Sequence, residues 1–174
     1  MNILVCMKLV SQAHFTDLLN NREDRLSGGD LSINPADLYA LELALRIKEK
    51  QAGTMVTVMT MAPAYAEHSL RDALAMGADQ AVLISDPCIA GSDTIVTARI
   101  LTAAIRKLPE QDLILCGKKA LDSETGHIGP QLSVFLSYSL AANVVSFSVE
   151  NHEIEILRAA DSAYTDTGTV CRLF

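Results

Sequence analysis

Short apolar runs of strand length recur along the chain, separated by stretches with helical spacing. They are Ile3-Leu4-Val5-Cys6-Met7, Val56-Thr57-Val58-Met59, Ala81-Val82-Leu83-Ile84 and Leu113-Ile114-Leu115-Cys116. Their apolarity is continuous rather than alternating, the pattern of strands covered on both faces. Strands of this kind alternating with helices build a parallel sheet between helical layers, because each right-handed crossover returns the chain over one face. The connections leaving the strands then collect on one rim, where open α/β sheets bind ligands.

The helical stretches carry their own start and stop signals. Asn34-Pro35-Ala36-Asp37 opens the first, with Asn34 as N-cap, Pro35 at the first helical position and Asp37 in the first turn; Gly53 stops it. The second follows Ala62-Pro63 and runs to Met76, with Ala66, Leu70, Ala73, Leu74 and Gly77 on one face and a Glu67/Arg71 pair opposite. Gly91-Ser92-Asp93-Thr94 introduces the third, with Ser92 as cap, Leu101, Ala104, Ile105 and Leu108 as its buried face and Pro109 as its end. A fourth is expected from Gly129-Pro130 to Leu140. Beyond it, Val144 to Val149 and Ile154 to Leu157 alternate with period two around Asn151-His152, as in an antiparallel hairpin. The fold expected is therefore α/β: a three-layer sandwich with a mostly parallel central sheet and a C-terminal antiparallel hairpin. At 174 residues it forms a single domain over 1–158, followed by an irregular tail over 159–174.

Composition narrows the function. The formal net charge of −7 and the lack of clustered Lys and Arg argue against nucleic acid as a partner. Cys6, Cys88, Cys116 and Cys171 show no metal-ligand or redox spacing, so no metal site is assigned. No segment reaches the ~18 apolar residues of a membrane span, and the chain begins as a strand without a signal sequence. A cytoplasmic protein that does not engage membranes is expected.

The chemistry concentrates in one loop. The run Leu113 to Cys116 leads into Gly117, Lys118, Lys119, Ala120, Leu121, Asp122, Ser123, Glu124, Thr125 and Gly126, and a helix starts near His127 and Ile128. A polar, glycine-containing loop delivered onto a helix N-terminus makes an anion pocket, since free N–H groups and the positive end of the helix dipole converge there. Topology adds the other strand ends on the rim, Met7-Lys8 and Met61-Ala62-Pro63, together with Asn34-Pro35. This gathering suits a nucleotide with its phosphate at Thr125 to Ile128, a binding inference rather than a catalytic one. Ser27-Gly28-Gly29-Asp30-Leu31-Ser32 invites comparison with a pyrophosphate loop, but its Asp stands one place early and no strand directly precedes it, so a plain turn is the better reading. The dinucleotide glycine fingerprint, the P-loop, the nucleophile elbow and the zinc-protease helix are missing. His14, His68, His127 and His152 are scattered, and His127 alone lies in the loop. No catalytic residue is assigned.

Taken together, Val5-Cys6-Met7-Lys8, Ile33 to Glu42, Ala73 to Asp79, Gly91-Ser92-Asp93-Thr94, and Leu115 to Asp122 with Thr125 and Gly129-Pro130-Gln131 resemble the β subunit of electron transfer flavoproteins from Asn2 to about Arg158. The resemblance implies an adenine nucleotide α-hydrolase-like, Rossmann-like fold and a heterodimer with a flavin-bearing α subunit, which takes electrons from a dehydrogenase and passes them on. It implies AMP as a structural ligand, or FAD in electron-bifurcating members. By matching positions, the cofactor site would comprise Cys6, Lys8, Asn34, Pro35, Ala36, Asp37, Met61 and Gly117 to Ile128. Ser11-Gln12 stand where the family has Pro-Asp. The family also continues well past this C-terminus, so the resemblance implies a shortened chain with weakened partner binding. The alternatives are a stand-alone ATP-binding or ATP-cleaving protein of the same fold superfamily, and a fragment that neither binds nor assembles.

Overall fold

The computed structural model describes residues 1–11, 31–150, 153–159 and 168–171. Strand β1 (Asn2–Cys6) is followed by a short pair, β2 (Leu9–Ser11) and β3 (Leu31–Ile33), which form their own antiparallel sheet. Then come α1 (Pro35–Lys50), β4 (Met55–Met61), α2 (Glu67–Met76), β5 (Gln80–Ile84), α3 (Thr94–Ile105), β6 (Leu113–Gly117) and α4 (Ile128–Leu136). Strands β7 (Leu140–Glu150), β8 (Glu153–Arg158) and β9 (Gly168–Cys171) complete the order.

The main sheet has the order β5-β4-β1-β6-β9-β7-β8. The four strands from β5 to β6 are parallel, as the continuous apolar runs require. The remaining three join antiparallel. Side chains alternate between the two faces. Ile3, Val5, Leu113 and Leu115 pack with Ala40, Leu41, Leu70 and Ala73 of α1 and α2, while Leu4, Cys6, Ile114 and Cys116 pack with Leu101, Ile105 and Leu132 of α3 and α4. Two separate apolar layers on opposite faces of one sheet make the expected three-layer α/β sandwich.

Local signals were mostly placed correctly, with instructive differences. Asp93, not Ser92, caps α3: its carboxylate accepts from the Val96 N–H at 2.8 Å, while the Ser92 hydroxyl donates to the Ile89 carbonyl at 2.6 Å. Leu74 of α2 is exposed rather than buried, whereas Ala66, Leu70 and Ala73 form the inner face. Helix α4 stops at Leu136 instead of Leu140, because Ser137 is left-handed (φ 59°) and the Tyr138 N–H donates back to the Ser133 carbonyl at 2.8 Å. That early stop frees Leu140 to begin β7. Turn Asn151-His152 and loop Ser27-Gly28-Gly29-Asp30 lie outside the described residues.

The largest correction concerns the C-terminal stretch. Within 159–174, expected to be an irregular tail, Gly168–Cys171 is a sheet strand, paired with Ile114 to Gly117 of β6 on one side and with Leu140 to Val144 of β7 on the other. Four residues are too few to show a period in sequence, and the strand is defined by its two neighbours. The remainder of that stretch, apart from Ala159, lies outside the described residues.

This layering predicts how stability is distributed. Leu115→Ala, in a fully packed central strand, should cost about 2–5 kcal/mol. Val134→Ala, at a position 73% exposed on α4, should stay within about 0.5 kcal/mol. Urea denaturation of both variants checks the contrast.

Candidate functional site

The rim is organised by Asp37, in the first turn of α1. Its carboxylate is buried, with Oδ2 accepting from the Lys8 N–H at 2.7 Å and Oδ1 from the Gly117 N–H at 2.9 Å. One side chain thus joins the ends of β1 and β6 to the start of α1. Gly117 is where it is because there is no room for anything larger: a Cβ there would overlap Asp37 Oδ1 and lie 2.7 Å from the Ala36 carbonyl carbon and 2.8 Å from the Asp37 nitrogen. Burial pushes the Asp37 carboxyl up from 3.8 to about 6, against the downward pull of the Lys8 N–H, the Asn34 amide, the Gly117 N–H and the Lys8 charge.

Asn34 occupies the N-cap position of α1, yet its side chain makes no capping bond. Its Nδ2 donates to the Lys119 carbonyl at 3.0 Å, and its Oδ1 accepts from the Leu121 N–H at 3.1 Å. The expected cap is therefore a brace for the loop. Its backbone finishes the corner: the Asn34 N–H donates to the Lys8 carbonyl at 2.9 Å, and its carbonyl accepts from the Asp37 N–H at 2.9 Å.

The loop between β6 and α4 is tied at several further points. Lys8 Nζ pairs with Asp122 Oδ1 at 2.6 Å, and Lys119 Nζ with Glu124 Oε1 at 2.7 Å. Glu124 is left-handed (φ 52°), and its N–H donates to the Ala120 carbonyl at 2.9 Å. Gly126 is left-handed too (φ 63°), with the Lys118 carbonyl 3.0 Å from the site of an added Cβ. The loop ends at His127, which precedes α4 and does not cap it with its side chain. The positive end of the α4 dipole lies at this end of the loop, where an anion is favoured.

Of the residues predicted for the site, Lys8, Asn34, Asp37, Gly117, Lys119, Leu121 and Asp122 are joined directly by these bonds. Leu121, Asp122, Ser123 and Thr125 are exposed on the loop, as are Lys118 and His127. Pro35 and Ala36 stand at the first two positions of α1. Cys6 and Cys116 are register partners on β1 and β6, buried against α3 and α4 beneath the rim. The Cys116 thiol is held well above its ordinary value by its hydrogen bond with Cys6 and by burial, so it stays protonated at neutral pH. Met61 ends β4, on the opposite side of β1 from β6. It shares the rim, while the bonds described above run between β1, α1 and the loop.

Sequence reasoning missed Ala142 and Asn143. A recess of about 210 Å³ runs between the loop and β7, lined by Lys118, Lys119, Glu124, Thr125, Gly126 and Pro130 together with these two residues. Nothing local in β7 signals this role. The left-handed backbone of Asn143 (φ 58°) interrupts the β7–β9 register between Ala141 and Val144. At about 210 Å³ the recess is smaller than the ~300–1,000 Å³ of most ligand pockets. Half-exposed pairs such as Lys8–Asp122 contribute only about 0–1 kcal/mol to holding the loop.

A family model described as "Electron transfer flavoprotein domain" matches residues 27–172. The similarity thus reaches beyond Arg158, where the sequence had suggested that it fades, and it includes β9. Among curated relatives, Protein FixA of Azotobacter vinelandii is 46% identical over 135 residues, covering 74% of this chain and 48% of its own length. Electron transfer flavoprotein subunit beta of Thermoanaerobacterium thermosaccharolyticum is 40% identical over 165 residues, 94% of this chain and 63% of its own. The Caffeyl-CoA reductase-Etf complex subunit CarD of Acetobacterium woodii is 38% identical over 165 residues, with the same coverage of 94% and 63%. The chain therefore spans about half to two thirds of the length of these relatives.

The geometry makes two predictions about stability. Gly117→Ala should cost about 2–3 kcal/mol, from overpacking against α1 and loss of an Asp37 hydrogen bond, measured by urea denaturation. The folded-state value of Asp37 lies above its unfolded value. Its favourable contribution is therefore full below pH 3.8 and is lost as pH rises through about 6. Wild type should lose about 3 kcal/mol relative to Asp37→Asn across that window, and parallel pH profiles of the two proteins would contradict it.

Proposed function

The chain belongs to the electron transfer flavoprotein domain family, and from that premise we propose that it binds an adenine nucleotide at the rim formed by Lys8, the α1 start and the loop 117–128. The same reading has it pair with a flavin-bearing α subunit that carries electrons from a dehydrogenase to an acceptor. The observation that carries it is the loop itself: a braced backbone turn ending on the N-terminus of α4, with Lys118 and Lys119 beside it. Those groups suit the phosphate of AMP or the corresponding phosphate of FAD. FAD would supply a redox centre there, and AMP only a structural one. This chain's part is to bind and orient. Asn34 and Asp37 hold the loop, and the exposed hydroxyls of Ser123 and Thr125 offer hydrogen bonds to the ligand. The names of the relatives, a subunit beta and a member of a reductase-Etf complex, support the carrier role. That no helix among the described residues is long and apolar enough to cross a membrane accords with a carrier that meets its partners in solution.

Mass spectrometry of nucleotide released from the chain purified with its α subunit should identify AMP or FAD. Asp122→Ala and Thr125→Ala should lower the amount retained several-fold, and Glu67→Ala, whose carboxylate pairs with Arg71 on the outer face of α2, should not. Equal retention in all three would place the ligand elsewhere. ATP turnover by the isolated chain would favour the ATP-cleaving alternative.

A further inference from the structure

Both oxygens of Asp37 are engaged by the protein's own backbone, one at the end of each central strand. Lys8 holds Asp122 through its side chain and Asn34 through its carbonyl, and Gly117 is the first residue of the loop. Two ends of the proposed site are thus anchored on a carboxylate that is only 6% exposed. We propose that Asp37 is a positioning residue for the nucleotide site, fixing the loop by accepting two backbone N–H groups at once and touching no ligand itself. The inference rests on the nucleotide reading above, and it departs from the ligand contact that the family resemblance implied for Asp37.

The reason lies in lone pairs. An ionised carboxylate accepts on both oxygens, whereas a neutral acid turns one oxygen into a hydroxyl whose proton faces an N–H donor. Asparagine has the same shape and the same defect, with an NH₂ in place of one oxygen. Protonation and Asp37→Asn should therefore loosen the same tie. Because the carboxyl titrates near 6, the tie can be switched at mild pH. The charged and titratable groups acting on it are Lys8, just past β1, and Cys116 of β6, whose register partner is Cys6; Lys118, Lys119, Asp122, Glu124 and His127 follow Gly117 along the loop. Lys8 is paired with Asp122 and Lys119 with Glu124, and a His127→Gln variant separates the histidine's contribution.

The two consequences of protonating Asp37 have opposite signs. The fold gains, because the desolvation of a buried charge is relieved, while the loop loses an anchor. A purely structural role would move stability and leave affinity alone. The test is calorimetric titration of the full chain with AMP between pH 5 and 8, for wild type, Asp37→Asn and His127→Gln. The ratio of wild-type to Asp37→Asn affinity cancels the titration of the AMP phosphate. That ratio should be tenfold or more at pH 7.5 and about tenfold smaller at pH 5, where only about one wild-type molecule in eleven keeps the competent carboxylate. His127→Gln should keep the wild-type step. A ratio near one at pH 7.5, a ratio independent of pH, or loss of the step in His127→Gln would overturn the proposal. Should Asp37→Asn fail to fold, the wild-type protein alone decides. The Lys8 and Gly117 amide NMR signals should titrate together with a midpoint near 6, and amides that do not move would overturn it. Wild type that binds no AMP at any pH, while the two amides still titrate together, would refute the nucleotide reading and uphold Asp37 as the anchor of the loop.

Discussion

The Asp37 carboxylate sits where β1, β6 and α1 converge, and the rest of the rim follows from its two hydrogen bonds. Each N–H it accepts lies at the end of a central strand, so without the carboxylate two part-buried donors would lose these partners. Burying a charge to satisfy them is costly, as the raised carboxyl value records. The arrangement persists because the same residue also supplies the acidic first turn that α1 favours. Gly117 follows from it, since only the absence of a Cβ lets β6 approach the helix start closely enough. Asn34 then repeats the device one turn earlier, bracing the loop with a side chain instead of capping its own helix. At the opposite end of α1, Lys48 pairs with Asp79 at 2.6 Å while Asp79 accepts the Val56 N–H at 2.8 Å. The helix is thus fixed to the sheet by a carboxylate at each end.

Much of this was legible in the amino-acid sequence, because the strands are continuous apolar runs and the helices alternate with them. Ile3 to Met7 and Leu113 to Cys116 can only be strands covered on both faces, and that pattern alone leads to the three-layer sandwich. The loop from Gly117 to Ile128 was legible because its residue types have few other uses between a strand and a helix. The bracing was not. Asn34 and Asp37 look locally like a cap and a dipole-matched acid, whereas their side-chain partners lie 85, 87 and 80 residues away in sequence. Local pattern cannot distinguish an N-cap from a tertiary brace. Ala142 and Asn143 escaped for the same reason, since they line the recess only because β7 is brought alongside the loop.

Strand β9 was hidden by brevity rather than distance. Its four residues carry no period of their own, and their place depends on β6 and β7 presenting matching free edges. Family similarity that runs through residue 172 treats this segment as part of the domain. The strand also changes what β6 is. Without it, the strand that ends in Gly117 would be an exposed edge, and unpaired edges template association.

That placement has a consequence in time. β9 is the last of the described strands to emerge during synthesis, yet it enters the sheet between β6 and β7, both completed earlier. Until β9 emerges the nascent chain must keep that slot open, because closing β7 directly onto β6 would exclude its proper occupant. Early folding can therefore secure the parallel half, with β1, β4, β5 and β6 and their helices, while the two halves of the sheet wait to be joined. The strand that leads into the loop is the seam along which they meet.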